Sequence, residues 1–224
     1  MTHPTTRLAL IHATRLAIDP VEAAAQALWT EAETISLLDE SLELDRERAG
    51  RMTPMLHARI LGLADHARDF GADGILFTCS AFGTAVEAAD AALGVPVMKP
   101  NEAMFADALA HGDRIAMLYT FPPARTGMEA EFDALVAARG RSARIESHLC
   151  DGALDAKRAG DTARHDRLIA ERGAMLQGYD AILLAQFSMA SAADVLRART
   201  GTPVETSPRS AIREMRKRVE GGRC

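Results

Sequence analysis

The chain has 224 residues, 48% of them hydrophobic and 25% charged, with a formal net charge of −5 at pH 7. That length buries one large α/β core or two smaller ones, and the ordinary charged fraction excludes a disordered or fibrous chain. No basic region precedes a long apolar stretch and no run is long enough to span a bilayer, so a cytoplasmic protein with no membrane partner is expected.

In chain order, the first apolar run, Leu8 to Ile11, reads as a strand ending at His12. Asp19-Pro20 then offers a capping side chain before a proline, a helix start. A second strand is expected over Thr34 to Leu38, with Asp39 near its end. Thr53-Pro54 opens an amphipathic helix to Phe70 that carries Leu56, Ile60, Leu63 and Ala67 on one side. A third strand is expected over Ile75 to Thr78 and a fourth over Val95 to Met98. Gly71, Gly112, Gly140, Gly178 and Gly201 read as helix stops, and Ser207-Pro208 opens the last helix. Short apolar runs alternating with longer amphipathic stretches are the pattern of βα units in a mainly parallel sheet.

The pattern then repeats. Arg7-Leu8-Ala9-Leu10-Ile11 matches Arg114-Ile115-Ala116-Met117-Leu118, and Gly71-Ala72-Asp73-Gly74-Ile75-Leu76 matches Gly178-Tyr179-Asp180-Ala181-Ile182-Leu183. Gly94-Val95-Pro96-Val97 matches Gly201-Thr202-Pro203-Val204, and all three matches share one shift of 107 residues. One match is explained by the habit of placing Gly-x-Asp before strands; a shared register for three points to duplication. The second strand departs from it, pairing by pattern with Arg144 to Leu149. The expected fold is α/β with two pseudo-symmetric lobes, residues 1–112 and 113–224, the C-terminal segment being free to pack back on the first. Each lobe is a four-stranded, mainly parallel sheet flanked by helices, and an active-site cleft is expected between the lobes, since ligands of parallel sheets bind beyond the strands' carboxyl ends.

Residues following the strands are therefore the site candidates. Cys79 follows the third strand beside a helix start, where amide dipoles favour a thiolate; the alternative is a buried structural thiol. Cys79, Cys150 and Cys224 are an odd number without paired spacing, so reduced thiols are expected. His12 has a near-neutral titration suited to carrying a proton, against the plainer reading of a histidine hydrogen-bonded at a strand end. Tyr119 holds the matching place in the second half. Thr78, Ser80, Thr120, Gln186, Ser188, Thr206 and Ser207 offer hydroxyls and amides to bind a substrate carboxylate. No arginine sits at an obvious strand end, so neutral donors are expected to hold that carboxylate. Asn101 looks like a helix cap and Glu102 an acidic first-turn residue.

Other chemistries lack their signatures. His148-Leu149-Cys150-Asp151 has no further ligands at useful spacing, so no metal is expected, and Cys150 reads as packed inside a strand. His12-Ala13-Thr14-Arg15 has no glycine for a phosphate loop, so no nucleotide cofactor is expected. The basic cluster Arg213, Arg216, Lys217 and Arg218 reads as a solvated helix face rather than a nucleic-acid surface.

The segment from Gly71 to Ser80, with Pro100-Asn101-Glu102-Ala103 after it, resembles the aspartate/glutamate/hydantoin racemase superfamily, which also holds maleate isomerase and arylmalonate decarboxylase. The resemblance covers nearly the whole chain and implies cofactor-free chemistry, two α/β lobes and a homodimer. It also implies a cysteine from each lobe flanking the substrate's α-carbon. The first of these carries over to Cys79, but the second falls on Gln186, whose carboxamide exchanges no proton at neutral pH. The expected function is isomerase or decarboxylase-like lyase chemistry on a small carboxylate with one thiol. The alternatives are a true amino-acid or hydantoin racemase with a non-cysteine second acid/base, and a carboxylate-binding protein without turnover.

Overall fold

The computed structural model describes residues 6–222. In chain order the elements are β1 (Arg7–His12), α1 (Ile18–Leu28), β2 (Glu33–Leu38), α2 (Ser41–Ala49), α3 (Pro54–Asp69), β3 (Gly74–Phe77), α4 (Gly83–Ala92), β4 (Val97–Met98) and α5 (Glu102–His111). They continue as β5 (Arg114–Tyr119), α6 (Arg125–Ala138), β6 (Arg144–Leu149), α7 (Ala153–Arg158), α8 (Thr162–Ala174), β7 (Ala181–Leu184), α9 (Ala193–Arg197), β8 (Val204–Thr206) and α10 (Ser207–Gly221).

These strands form two four-stranded sheets, ordered β2-β1-β3-β4 and β6-β5-β7-β8, with every pairing parallel. The central strands β1, β3, β5 and β7 are almost wholly buried and read as unbroken apolar runs, as sheets covered on both faces require. The edge strands β2 and β6 are half-buried and mix polar with apolar residues. The repeat of 107 residues relates β1 to β5, β3 to β7 and β4 to β8.

The repeated Gly-x-Asp has a physical basis in each sheet. Gly71 and Gly178 adopt left-handed conformations (φ 86° and 74°) that close the preceding turn, which a side chain would strain. The aspartate two residues on then reaches the neighbouring strand's entry. Asp73 accepts the Arg7 amide at 2.8 Å, and Asp180 accepts the Asp113 and Arg114 amides, both at 2.8 Å. Gly201 lacks the left-handed conformation expected of a helix stop.

The chain divides into two compact units: residues 1–100 with 211–224, and residues 101–210. The boundary thus differs from the expected 112/113, because α5 packs on β7 and β8 of the second unit. Most of α10 belongs to the first unit, where Met215 and Val219 lie against Gly74 with no room for a Cβ. In the first unit, Ile60, Ala64, Phe77, Phe82 and Val86 build a core beneath α3 and α4. The second unit has one core under α5 and α6 around Phe105 and Phe132, and another under α8 and α9 around Ile169 and Leu196. Each fully buried side chain of this size contributes about 1.5–3 kcal/mol against remaining exposed.

Local punctuation is partly as expected. Thr53 caps α3 by accepting the Leu56 amide at 3.2 Å. Helix α1 instead begins at Ile18, ahead of the Asp19-Pro20 signal, and has no side-chain cap. No described helix is long and apolar enough to cross a membrane. Cys224 lies outside the described residues.

Candidate functional site

Strand β3 ends at Phe77, and Thr78 and Cys79 continue it in extended conformation to a 3-10 turn at Ser80–Phe82 that leads into α4. Cys79 therefore does sit between a strand end and a helix start. The expected acidification does not follow. The residue keeps partial exposure, yet the protein atoms packed around it desolvate the thiol and push it up to about 11. The Ala81 amide acts in the opposite direction, the Glu43 carboxylate adds to the rise and Arg46 offsets some of it. One short turn of amides cannot replace the water that the sulfur loses, so the resting group is a neutral thiol.

A cation that the strand ends did not announce lies near Cys79. Arg46 lies on α2, within electrostatic reach of the Cys79 sulfur. Its Nε is buried with no acceptor, and its guanidinium has no ion-pair partner among the described residues. The neighbouring arginine behaves differently: Arg59 is clamped between Asp39 and Asp45, at 2.7 Å from Asp45 Oδ2. Asp39 also accepts the Ser41 amide and hydroxyl at 3.1 and 2.6 Å, which ties it to the first residue of α2. Burial pushes the Asp39 carboxyl up, but Ser41 and Arg59 together hold it below its ordinary value.

His12 ends β1 and is fully buried. Its Nδ1 lies 2.9 Å from Thr78 Oγ1 and its Nε2 lies 3.2 Å from Ser36 Oγ. Burial drives it down to about 4, against the pull of Glu22, so His12 is neutral at physiological pH. Its placement is that of the plainer reading, a histidine hydrogen-bonded at a strand end. Ser80 is half-buried, and its hydroxyl makes no hydrogen bond among the described residues.

In the second unit, β7 ends at Leu184, and Gln186 stands at the register position that matches Cys79. Its Oε1 accepts the Thr120 amide at 2.8 Å and the Thr120 hydroxyl at 3.2 Å. Its Nε2 is left buried without a partner, so Gln186 and Thr120 are brought together with a donor to spare. Thr206 Oγ1, at the end of β8, and Asn101 Nδ2 are likewise buried and unpaired. Asn101 does not cap α5; its Oδ1 lies 3.2 Å from the Ser207 hydroxyl, which is also 3.4 Å from the Ala185 carbonyl oxygen. Ser188 is buried on a 3-10 turn whose carbonyl oxygen lies 3.2 Å from His165 Nε2, a structural placement. Tyr119 packs into the core beneath α5 and α6.

Cys150 is buried among apolar side chains, as the strand pattern suggested, and its thiol is pushed up to about 12. His148 bonds the Tyr179 hydroxyl at 3.2 Å rather than joining a ligand set. Among the described residues no group of three or more His, Cys, Asp or Glu is arranged to hold a metal ion. Sequence reading missed Arg46, Ser36 and Glu22. Arg46 lies eight residues beyond β2 on a helix full of charges, and nothing in its spacing separates it from Arg48.

A duplicated parallel α/β fold, with polar and thiol groups at the strand ends and partnerless donors among them, defines an enzyme of the racemase and isomerase superfamily. The pattern of the Asp/Glu/Hydantoin racemase family matches residues 11–215, and the chain belongs to that family. No curated protein sequence matches it significantly. Among solved structures, allantoin racemase from Klebsiella pneumoniae superimposes with a TM-score of 0.72 at 19% identity, covering 97% of this chain and 89% of that one. Aspartate racemase from Picrophilus torridus gives 0.68 at 14% identity, covering 96% of this chain and 94% of that one. A double mutant of arylmalonate decarboxylase in liganded form gives 0.64 at 18% identity, covering 97% and 94%. At these identities the superpositions speak for the fold, which a decarboxylase and racemases share.

Proposed function

We propose that this chain catalyses cofactor-independent, decarboxylase-like lyase chemistry on a small carboxylate, with the neutral thiol of Cys79 as proton donor. The observation that carries the reading is the place of Cys79 between a strand end and a helix start, where desolvation raises its thiol to about 11 within electrostatic reach of Arg46, whose Nε is buried without an acceptor. A group so rarely ionised is a poor base and a poor nucleophile, which disfavours proton abstraction and addition to a double bond. It is well matched to the reverse task, delivering a proton to a carbanion.

In the decarboxylating form, the bond between the α-carbon and a departing carboxylate breaks and carbon dioxide leaves. The electron pair passes into an enediolate on the remaining carboxylate. Cys79 Sγ–H then protonates the α-carbon, and the thiolate regains a proton from water. Arg46, the Ser80 hydroxyl and the turn amides supply the charge and hydrogen bonds that such an enediolate demands. Gln186, which holds the matching place in the second unit, is a carboxamide and exchanges no proton at neutral pH. With His12 neutral and sealed, the two-base racemase reading loses its nominated second group.

The test is a library of small carboxylates, disubstituted malonates and amino acids among them, incubated in heavy water and followed by mass and optical rotation. The expected product carries one solvent deuterium at the α-carbon in a single handedness. Interconversion of both enantiomers of an amino acid or hydantoin would overturn the reading in favour of racemisation.

A further inference from the structure

The two units are copies, so positions that differ between them show what one unit has and the other lacks. One such place is the polar margin of the second sheet, on the face that α8 and α9 cover. In the first unit, Arg7 and Glu33 are register partners at the start of β1 and β2 and form an ion pair at 3.1 Å. In the second unit the same register pairs Arg114 with Arg144, and both are exposed. Like charges side by side on neighbouring strands repel, which costs stability unless something neutralises them.

The differences continue around this pair. On the same face of the edge strand, Glu146 and His148 stand where the first unit has Ile35 and Leu37. At the shift of 107 residues, Arg172 and Tyr179 stand where it has Asp65 and Ala72. These side chains are joined to one another. Arg172 on α8 lies 3.3 Å from His148 Nδ1, His148 Nε2 lies 3.2 Å from the Tyr179 hydroxyl, and that hydroxyl donates to Glu146 Oε2 at 2.6 Å. Arg114 stacks over the Tyr179 ring at 5.7 Å, so Arg114 and Arg172 converge on Tyr179 from two elements.

Proton counting shows where the negative charge goes. A guanidinium only donates, so His148 Nδ1 accepts from Arg172 and the imidazole proton sits on Nε2, facing Tyr179. Burial and the Arg172 charge both lower the His148 titration, so the ring is neutral at physiological pH. The phenol gives its own proton to Glu146, the carboxylate of this row, which therefore pairs with no arginine. The nearby acids are engaged as well: Asp113 accepts from Arg141 at 2.6 Å, and Asp180 accepts the strand-entry amides. Arg114, Arg144 and Arg172 have no ion-pair partner among the described residues. The chain carries 31 acidic against 26 basic residues, so composition does not impose three such arginines in one place.

We propose that Arg114, Arg144 and Arg172 form a binding site, around Tyr179, for a small oxyanion carrying two or more negative charges, a phosphoryl or polycarboxylate group. Guanidinium forks match such oxygens in pairs, and the anion supplies the negative charge that Glu33 supplies in the first unit. The site is separate from the candidate catalytic groups of its own unit. Arg114 and Arg144 open their strands, whereas Thr120 and Gln186 follow the opposite ends of β5 and β7.

The experiment titrates pyrophosphate and, separately, citrate into the protein at one fixed ionic strength. Binding is read by calorimetry and by nitrogen-15 NMR of labelled histidine, with the His148 signals identified by their absence in His148→Asn. The expected result is one-site saturation by at least one probe, with the His148 signals moving along the same curve. Pyrophosphate alone marks a phosphoryl ligand, citrate alone a polycarboxylate, and both a site that reads charge. Arg144→Glu restores the ion pair of the first unit, so it should keep the fold and weaken the saturating probe at least about tenfold, because an attraction becomes a repulsion. Arg144→Gln, which only removes the charge, should fall between that variant and the parent. Arg46→Met, at the candidate catalytic site, should leave the His148 response unchanged. The proposal is overturned if neither probe saturates, if saturation leaves the His148 signals still, if Arg46→Met abolishes their response, or if both Arg144 variants bind as the parent does.

Discussion

Alkylation of Cys79 against pH offers a quantitative check on the electrostatics of the site. A thiol with an ordinary value of 9.0 raised to about 11 has roughly one hundredth of the usual thiolate at pH 7–8. The rarer thiolate is also the stronger nucleophile, and a Brønsted slope of about 0.4–0.5 returns a factor of about eight. The net expectation is a rate roughly tenfold below that of an unperturbed cysteine, rising about tenfold per pH unit through pH 9 without a plateau. The assay is iodoacetamide labelling of the Cys79 peptide read by mass spectrometry in a Cys224→Ser background, which removes the terminal thiol. Cys150 is buried, with its thiol at about 12, so it adds little signal in the same range. A plateau below pH 8 would refute the reasoning, because it would mean that the turn amides and Arg46 outweigh desolvation.

Arg46→Met removes the smaller of the two groups that pull the thiol down, so Cys79 labelling should slow only slightly, while activity on a small carboxylate should fall about 10²-fold or more; unchanged turnover would free Arg46 of any role. His12 is held near 4 against an ordinary 6.5, so the unfolded chain binds more protons between those values and stability should fall as pH drops from about 6.5 to 4. The full effect is roughly 3 kcal/mol, and denaturant titrations should show it shrinking in His12→Gln. Met215→Ala opens the contact of α10 with β3 at Gly74 and should destabilise by about 2–5 kcal/mol in the same assay.

The fold was legible because the duplication wrote it twice. The buried strands are continuous apolar runs, and Asp73 and Asp180 announce their strands through amides that only an acceptor at that spacing can satisfy. The exchange of α5 and α10 between the compact units was not legible, since neither helix's apolar stripe names the sheet it will cover. At the site, the position of Cys79 could be read from its neighbours, but its protonation could not. Helix-start amides are visible in a sequence; the desolvation of one thiol by the elements packed around it is not. His12 left two readings open for the same reason, because a strand-end histidine looks alike whether it meets water or, as here, Thr78 and Ser36. Arg46 became a candidate only when the structure paired Asp39 and Asp45 with Arg59 and left Arg46 without an ion pair among the described residues.

Whether Cys79 delivers the proton is decided most directly by comparing the parent with Cys79→Ser on any carboxylate the parent turns over in heavy water. Loss of a positioned acid predicts a fall in turnover of about 10²–10⁴-fold, with folded-state stability retained and the remaining product no longer of one hand. Deuterated product formed by Cys79→Ser at the parental rate and handedness would contradict the account.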